Sequence, residues 1–98
     1  MQPKRRKLER EIERELGVYC KKQGWLYYKF RSPSNSGVAD RIVVTEKGRV
    51  IFLELKREGN KPTTLQAKFI MDILDHGGIA DWKDTLKSAI EFIHENNK

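Results

Sequence analysis

Leu8, Ile12, Leu16 and Tyr19 recur at steps of four, four and three residues near the start of the chain. That spacing keeps them on one stripe of a 3.6-residue helix. It predicts an amphipathic helix from about Lys4 to Lys22, closed by Gln23-Gly24. Gly17 lies inside it and costs up to about 1 kcal/mol against alanine. The period then changes. Trp25 to Phe30 is an aromatic run and reads as a strand, and residues 31–37 form a polar loop rich in turn formers. Two apolar runs follow as a hairpin. The first opens at Asp40, and the second ends in Glu54-Leu55-Lys56. After the loop Glu58-Gly59-Asn60-Lys61-Pro62, Thr63 or Thr64 caps a second helix. Its apolar face is Leu65, Phe69, Ile70, Ile73 and Leu74, and His76-Gly77-Gly78 ends it. Ile79 to Trp82 is a short strand. Asp84 or Thr85 opens a last helix with Leu86, Ala89, Ile90 and Ile93 facing inward.

The predicted order is therefore α-β-β-β-α-β-α. Hairpin strands pair antiparallel, and a strand reached through a crossover helix lies parallel to the one before it. The expected fold class is α/β, a mixed central sheet flanked by helices. With 98 residues, no internal repeat and no low-complexity linker, a single domain spanning 1–98 is expected.

The hairpin carries the informative chemistry. Charged residues sit poorly at the ends of core strands, because a buried unpaired charge costs several kcal/mol. Asp40, Glu54 and Lys56 all occupy such ends. If Glu46-Lys47-Gly48 is a three-residue loop with Gly48 left-handed, Thr45 pairs with Arg49. Counting outward sets Asp40 opposite Glu54, with side chains on one face and Cβ atoms about 5 Å apart. A two-residue loop would pair Asp40 with Leu55 and turn the acid to the other face. Two carboxylates so close repel unless a cation lies between them. Oxygen donors of this kind suit a hard divalent metal, and a lysine beside them can assist at a scissile phosphate.

Charge sharpens the picture. The net charge is +6. Residues 1–31 hold ten Lys or Arg against four Glu, while residues 32–98 hold ten of each sign. All the excess is near the N-terminus, as expected of a surface that meets a polyanion. The run Lys4-Arg5-Arg6-Lys7 is the densest part and is read as a phosphate contact. No stretch approaches the roughly 20 apolar residues of a membrane span, so no membrane partner is expected. A lone cysteine, Cys20, excludes an intramolecular disulfide and fits a reducing cytoplasm.

The pattern Ser32-Pro33 … Gly37-Val38-Ala39-Asp40-Arg41 … Glu54-Leu55-Lys56 … Gln66 resembles a VRR-NUC domain of the PD-(D/E)xK nuclease superfamily. The likeness runs from the first helix to the last. One position departs from it: Ala39 stands where the family usually has proline, which stiffens the chain but supplies no ligand. The resemblance implies a restriction-endonuclease-like core and a metal-dependent endodeoxyribonuclease. Asp40 and Glu54 would be metal ligands, with the carbonyl of Leu55 as a third. Lys56 would orient the attacking water and offset developing charge on phosphate, and Gln66 would position Lys56 or the water. The expected cofactor is Mg²⁺, with Mn²⁺ able to substitute, and no small-molecule cofactor is implied. Compact stand-alone members, many of them phage-encoded, act as homodimers. They cleave branched DNA, four-way (Holliday) junctions in particular, by paired nicks. The place of action would be the cytoplasm of a bacterial host.

The family also carries a glutamate on its first helix. Glu9, Glu11, Glu13 and Glu15 are candidates, and Glu9 and Glu13 share one face a helical turn apart. In the similar archaeal Holliday junction resolvases this glutamate stands eleven residues before the helix-ending glycine. That offset from Gly24 gives Glu13. Ser32 and Ser36 are loop residues able to touch phosphate. Arg41 should face the opposite side of the sheet from Asp40, to meet DNA or an acid. His76 and His94 lie near helix ends, where dipole contacts are commoner than metal ligation.

Overall fold

The computed structural model describes residues 6–31, 37 and 39–98. Its elements are α1 (Glu9–Gln23), β1 (Leu26–Lys29), β2 (Arg41–Val44), β3 (Val50–Leu55), α2 (Thr64–Asp75), β4 (Ile79–Lys83) and α3 (Leu86–Glu95). The order is the α-β-β-β-α-β-α read from the sequence.

The four strands form one sheet in the order β1-β2-β3-β4. β1–β2 and β2–β3 are antiparallel, and β3–β4 is parallel, joined through α2. Alternation along the strands then sorts the two faces. Val43, Ile51, Leu53 and Leu55 point to one side and form a buried core with Ile12, Leu16 and Cys20 of α1 and Ala89 and Ile93 of α3. On the other side Phe52 meets Phe69 of α2, with ring centroids 5.8 Å apart. Helices thus cover both faces, but α2 packs chiefly on β4. Leu26, Tyr28 and Val50, all on that second face, stay 45–56% exposed.

Capping sets the helix limits. Thr63 opens α2 with a full capping box: its hydroxyl accepts from the Gln66 backbone N–H, and the Gln66 side-chain Oε1 accepts from the Thr63 N–H at 2.8 Å. Thr85 caps α3 through the Ser88 N–H. α1 ends where Gly24 adopts φ 77° and Trp25 N–H bonds the Cys20 carbonyl at 2.9 Å. Its start differs from expectation. The helix begins at Glu9 rather than near Lys4, with Leu8 at the cap and no side-chain cap. A run of cations ahead of a helix N-terminus opposes its dipole, whereas Glu9 and Glu11 favour it. The apolar face of α2 is also less covered than its pattern implies: Ile70 is buried, but Leu65 and Leu74 are 57% and 45% exposed.

Candidate functional site

The hairpin loop has the geometry that sets two acids face to face. Thr45 N–H donates to the Arg49 carbonyl at 3.0 Å and Gly48 has φ 77°. Arg41 pairs with Leu53, so one step outward Asp40 lies opposite Glu54. Asp40 N–H donates to Glu54 Oε2 at 3.2 Å. Glu54 is only 3% exposed. Gln66, in the first turn of α2, donates from Nε2 to Glu54 Oε1 at 2.5 Å, and Lys56 Nζ lies 3.7 Å from the same oxygen. Gln66 thus meets Glu54 directly, on the oxygen nearest Lys56.

The electrostatics of the pair are unfavourable without a cation. Burial, and then the Asp40 charge, push the Glu54 carboxyl up to about 7, against the smaller pull of the Asp40 N–H and the Lys56 ammonium. Asp40 Oδ1 is buried with no hydrogen-bond partner. A buried carboxylate oxygen left bare beside a second acid suits a positive ion.

α1 brings two further acids to the same place. Single oxygens of Glu9, Glu13 and Asp40 lie within 4.8 Å of one another. Burial raises the Glu9 carboxyl above its ordinary value, helped by the charges of Glu13 and Asp40. Glu13 is held by an ion pair with Arg41, Oε2 to Nη2 at 2.7 Å. Arg41 also donates from Nε to the Tyr27 hydroxyl at 3.0 Å and from Nη1 to the Asp40 carbonyl at 3.1 Å. Tyr27 in turn donates to the Glu13 carbonyl at 2.9 Å. Burial pushes the Tyr27 hydroxyl up to about 12, so it keeps its proton to donate. These contacts clasp α1 to the strand that presents Asp40. Arg41 is 6% exposed and fully engaged. Its guanidinium turns inward to Glu13 of α1, so of the two partners expected for Arg41, DNA or an acid, the structure shows the acid.

The donor set fits a hard divalent cation: carboxylates of Glu9, Glu13 and Asp40 form one group, with Glu54 beside Asp40 but outside it, and among the described residues the group holds no nitrogen or sulfur ligand. Leu55 lies on β3 between Glu54 and Lys56, its side chain 0% exposed in the core. Arg6 is exposed and Lys7 pairs with Glu15 at 2.6 Å. Lys4, Arg5, Ser32 and Ser36 lie outside the described residues. His94 meets the Tyr19 hydroxyl at 2.6 Å and His76 Nδ1 meets the Asp72 carbonyl at 2.7 Å, both away from the acids.

Compared with solved structures, the chain superposes on one described as "VRR_NUC domain" with a TM-score of 0.80 and 22% identity, covering 88% of this chain and 94% of that one. The chain has the VRR_NUC fold. It is also 43% identical over 60 residues to "Putative nuclease p44" of Acyrthosiphon pisum secondary endosymbiont phage 1. That match takes in 61% of this chain and spans 64% of the relative's length. No family model matches the chain. Among the described residues no helix is long and apolar enough to cross a membrane.

Within this VRR_NUC fold, two participants escape a reading of the sequence. Glu9 joins the cluster beside Glu13, where choice of a single glutamate left it out. The one-turn spacing of the two acids was the available signal. Tyr27 stands among several aromatics of an edge strand, and only the register that sets it beside Val43 and near Arg41 reveals its part.

Proposed function

We propose that the protein is a divalent-metal-dependent endonuclease acting on DNA, on four-way junctions in particular, as a homodimer. The Asp40–Glu54 pair, with its bare buried oxygen and its upward-shifted carboxyl beside Lys56, carries this reading. Such a pair is costly in a structural or purely DNA-binding role, because two acids facing phosphate weaken binding. The name of the phage relative points the same way.

Asp40, Glu54 and the Leu55 carbonyl would hold Mg²⁺, or Mn²⁺ in its place, with Glu13 and Glu9 on the open side. Bound there, the ion would polarise a phosphoryl oxygen and lower the pKa of water. Lys56 orients the attacking water and offsets charge that develops on the phosphate. Gln66 holds Glu54 in its rotamer. Arg41 fixes Glu13 and, through it, the helix. The exposed Arg6 with Lys4, Arg5 and Lys7, and Ser32 of the loop before Asp40, are assigned to the phosphate backbone.

The dimer reading rests on symmetry and on an open surface. Paired nicks across a junction need two sites related by a two-fold axis. Leu26, Tyr28 and Val50 leave an exposed apolar stretch of sheet, and such patches mark interfaces. We place the protein in the cytoplasm, where a single reduced cysteine is stable.

The test is cleavage of a labelled immobile four-way junction with Mg²⁺ or Mn²⁺, with Glu54→Ala as control and linear duplex as competitor. Symmetric nicks near the branch, lost in the control, are expected. Cutting of flaps or duplex instead would keep the metal site and overturn the junction substrate. Binding without cutting under either metal would leave a DNA-binding module.

A further inference from the structure

We infer that the groove between α1 and the free edge of β1 is a second DNA-backbone track, which holds a duplex arm of the substrate through Arg10, Arg14 and Lys21. The inference rests on the nuclease reading for its choice of polyanion, but its residues lie outside the proposed catalytic set.

Charges on α1 are segregated by face. Glu9 and Glu13 turn toward the acid cluster, and Glu15 pairs with Lys7. The side that meets β1 is marked by the Tyr27 hydroxyl on the Glu13 carbonyl and by Gly17, where a Cβ would stand 3.2 Å from the Tyr27 ring. Lys21 follows Gly17 by four residues, and Arg14 and Arg10 precede it by three and seven. All of these spacings fall on one stripe of a helix. That stripe, residues 10, 14, 17 and 21, holds three cations and a glycine and no acid.

The stripe borders an open groove of about 480 Å³ lined by Gly17, Lys21, Gly24, Trp25 and Tyr27 among others. Arg10, Arg14 and Lys21 are all exposed. None of them has an ion-pair partner among the described residues, unlike Lys7, Lys56, Lys68 and Lys83, which do. Lys29, on the same face of β1 as Tyr27, and Arg31 beyond it continue the positive margin toward Asp40 and are exposed too. Eleven residues of helix at 1.5 Å each give a track about 16 Å long, leading away from the Glu9–Glu13–Asp40 cluster. That length spans several phosphates of one strand. Among the described residues β1 is a sheet edge, and no neighbouring strand obstructs the approach.

The experiment is junction binding in chelator, where cutting is absent, across a series of salt concentrations. The wild type is compared with the triple variant Arg10→Gln, Arg14→Gln, Lys21→Gln. Removing one phosphate contact flattens log K against log salt by about 0.9 on duplex DNA. The triple variant should therefore have a slope shallower by about 2 to 3. The charge-keeping variant Arg10→Lys, Arg14→Lys, Lys21→Arg should retain the slope, which excludes misfolding as the cause. A charge-matched control, Lys68→Gln, Lys87→Gln, Lys98→Gln, should change it far less. An unchanged slope in the Gln triple, or an equal fall in the control, would overturn the track. Failure of the nuclease reading looks different: the wild type would cut nothing with any metal, while a shallower slope in the triple variant would still uphold the track. A wild type that binds no DNA would overturn both.

Discussion

Glu54→Gln should make the metal-free protein more stable at pH 8 while removing its cleavage. The side chain is 4% exposed, and burial together with the Asp40 charge lifts its carboxyl from 4.5 to about 7. A carboxyl whose folded value exceeds its unfolded one contributes full stability below the unfolded value and loses it as pH rises through the folded value. The window here runs from about 4.5 to 7. At about 1.4 kcal/mol per pH unit, the full penalty at pH 8 is about 3 kcal/mol. Relaxation of the site reduces it, but even 1 kcal/mol moves Tm by about 4–8 °C in a domain of this size. The assay is thermal unfolding of wild type and variant in chelator between pH 4 and pH 8. The hydrogen bonds that an amide makes differently give an offset that does not vary with pH. On top of it, the variant should gain on the wild type steadily as pH rises. Mg²⁺ or Mn²⁺ added at pH 8 should raise the wild-type Tm and leave the variant unmoved. A difference between the two that stays constant from pH 4 to pH 8 would refute the argument, because it would mean that Glu54 is not held against its charge.

Other outcomes follow from the same geometry. Lys56→Ala should abolish cleavage of a labelled junction and spare binding measured by gel shift; full activity would remove Lys56 from the site. Arg41→Ala leaves Glu13 without its partner in a nearly closed setting, and breaking such a pair costs about 3–5 kcal/mol, readable in urea unfolding. Tyr27→Phe removes only one hydroxyl from that network and should cost about 1–2 kcal/mol in the same assay. Gly37→Ala would set a Cβ 2.6 Å from the Leu65 carbonyl oxygen. One of the two backbones must then shift, and displacement of the first turn of α2, which holds Gln66, would make cleavage fall more than Tm does.

Much of the site is legible in the amino-acid sequence because a hairpin register is rigid arithmetic. Glu46-Lys47-Gly48 and one left-handed glycine suffice to set Asp40 opposite Glu54. The cap at Thr63 and the inward face of α3 follow from local chemistry in the same way. What stays hidden depends on distant chain segments. Arg41 looks like a surface cation beside an acid, and only the approach of α1 turns it into a clasp for Glu13. The start of α1 depends on how four cations weigh against a helix dipole, which apolar spacing does not register. Leu65 and Leu74 read as core by periodicity, yet α2 packs chiefly on β4, the edge of the sheet among the described residues, and both stay exposed.

Gln66 has one amide and two obligations. Its oxygen closes the cap at Thr63, and its nitrogen holds Glu54. No other side chain meets both demands. Glutamate would satisfy the cap but set another negative oxygen against Glu54. Lysine or arginine would suit Glu54 but leave the Thr63 N–H bare. Asparagine is one methylene too short for the reach. The first turn of α2 and the rotamer of Glu54 are therefore a single mechanical part. Fraying of the helix end releases the carboxylate, and a ligand that grips the carboxylate tightens the helix end. Amide exchange at Gln66 and Ala67 would thus report on occupancy of a centre that neither backbone group touches.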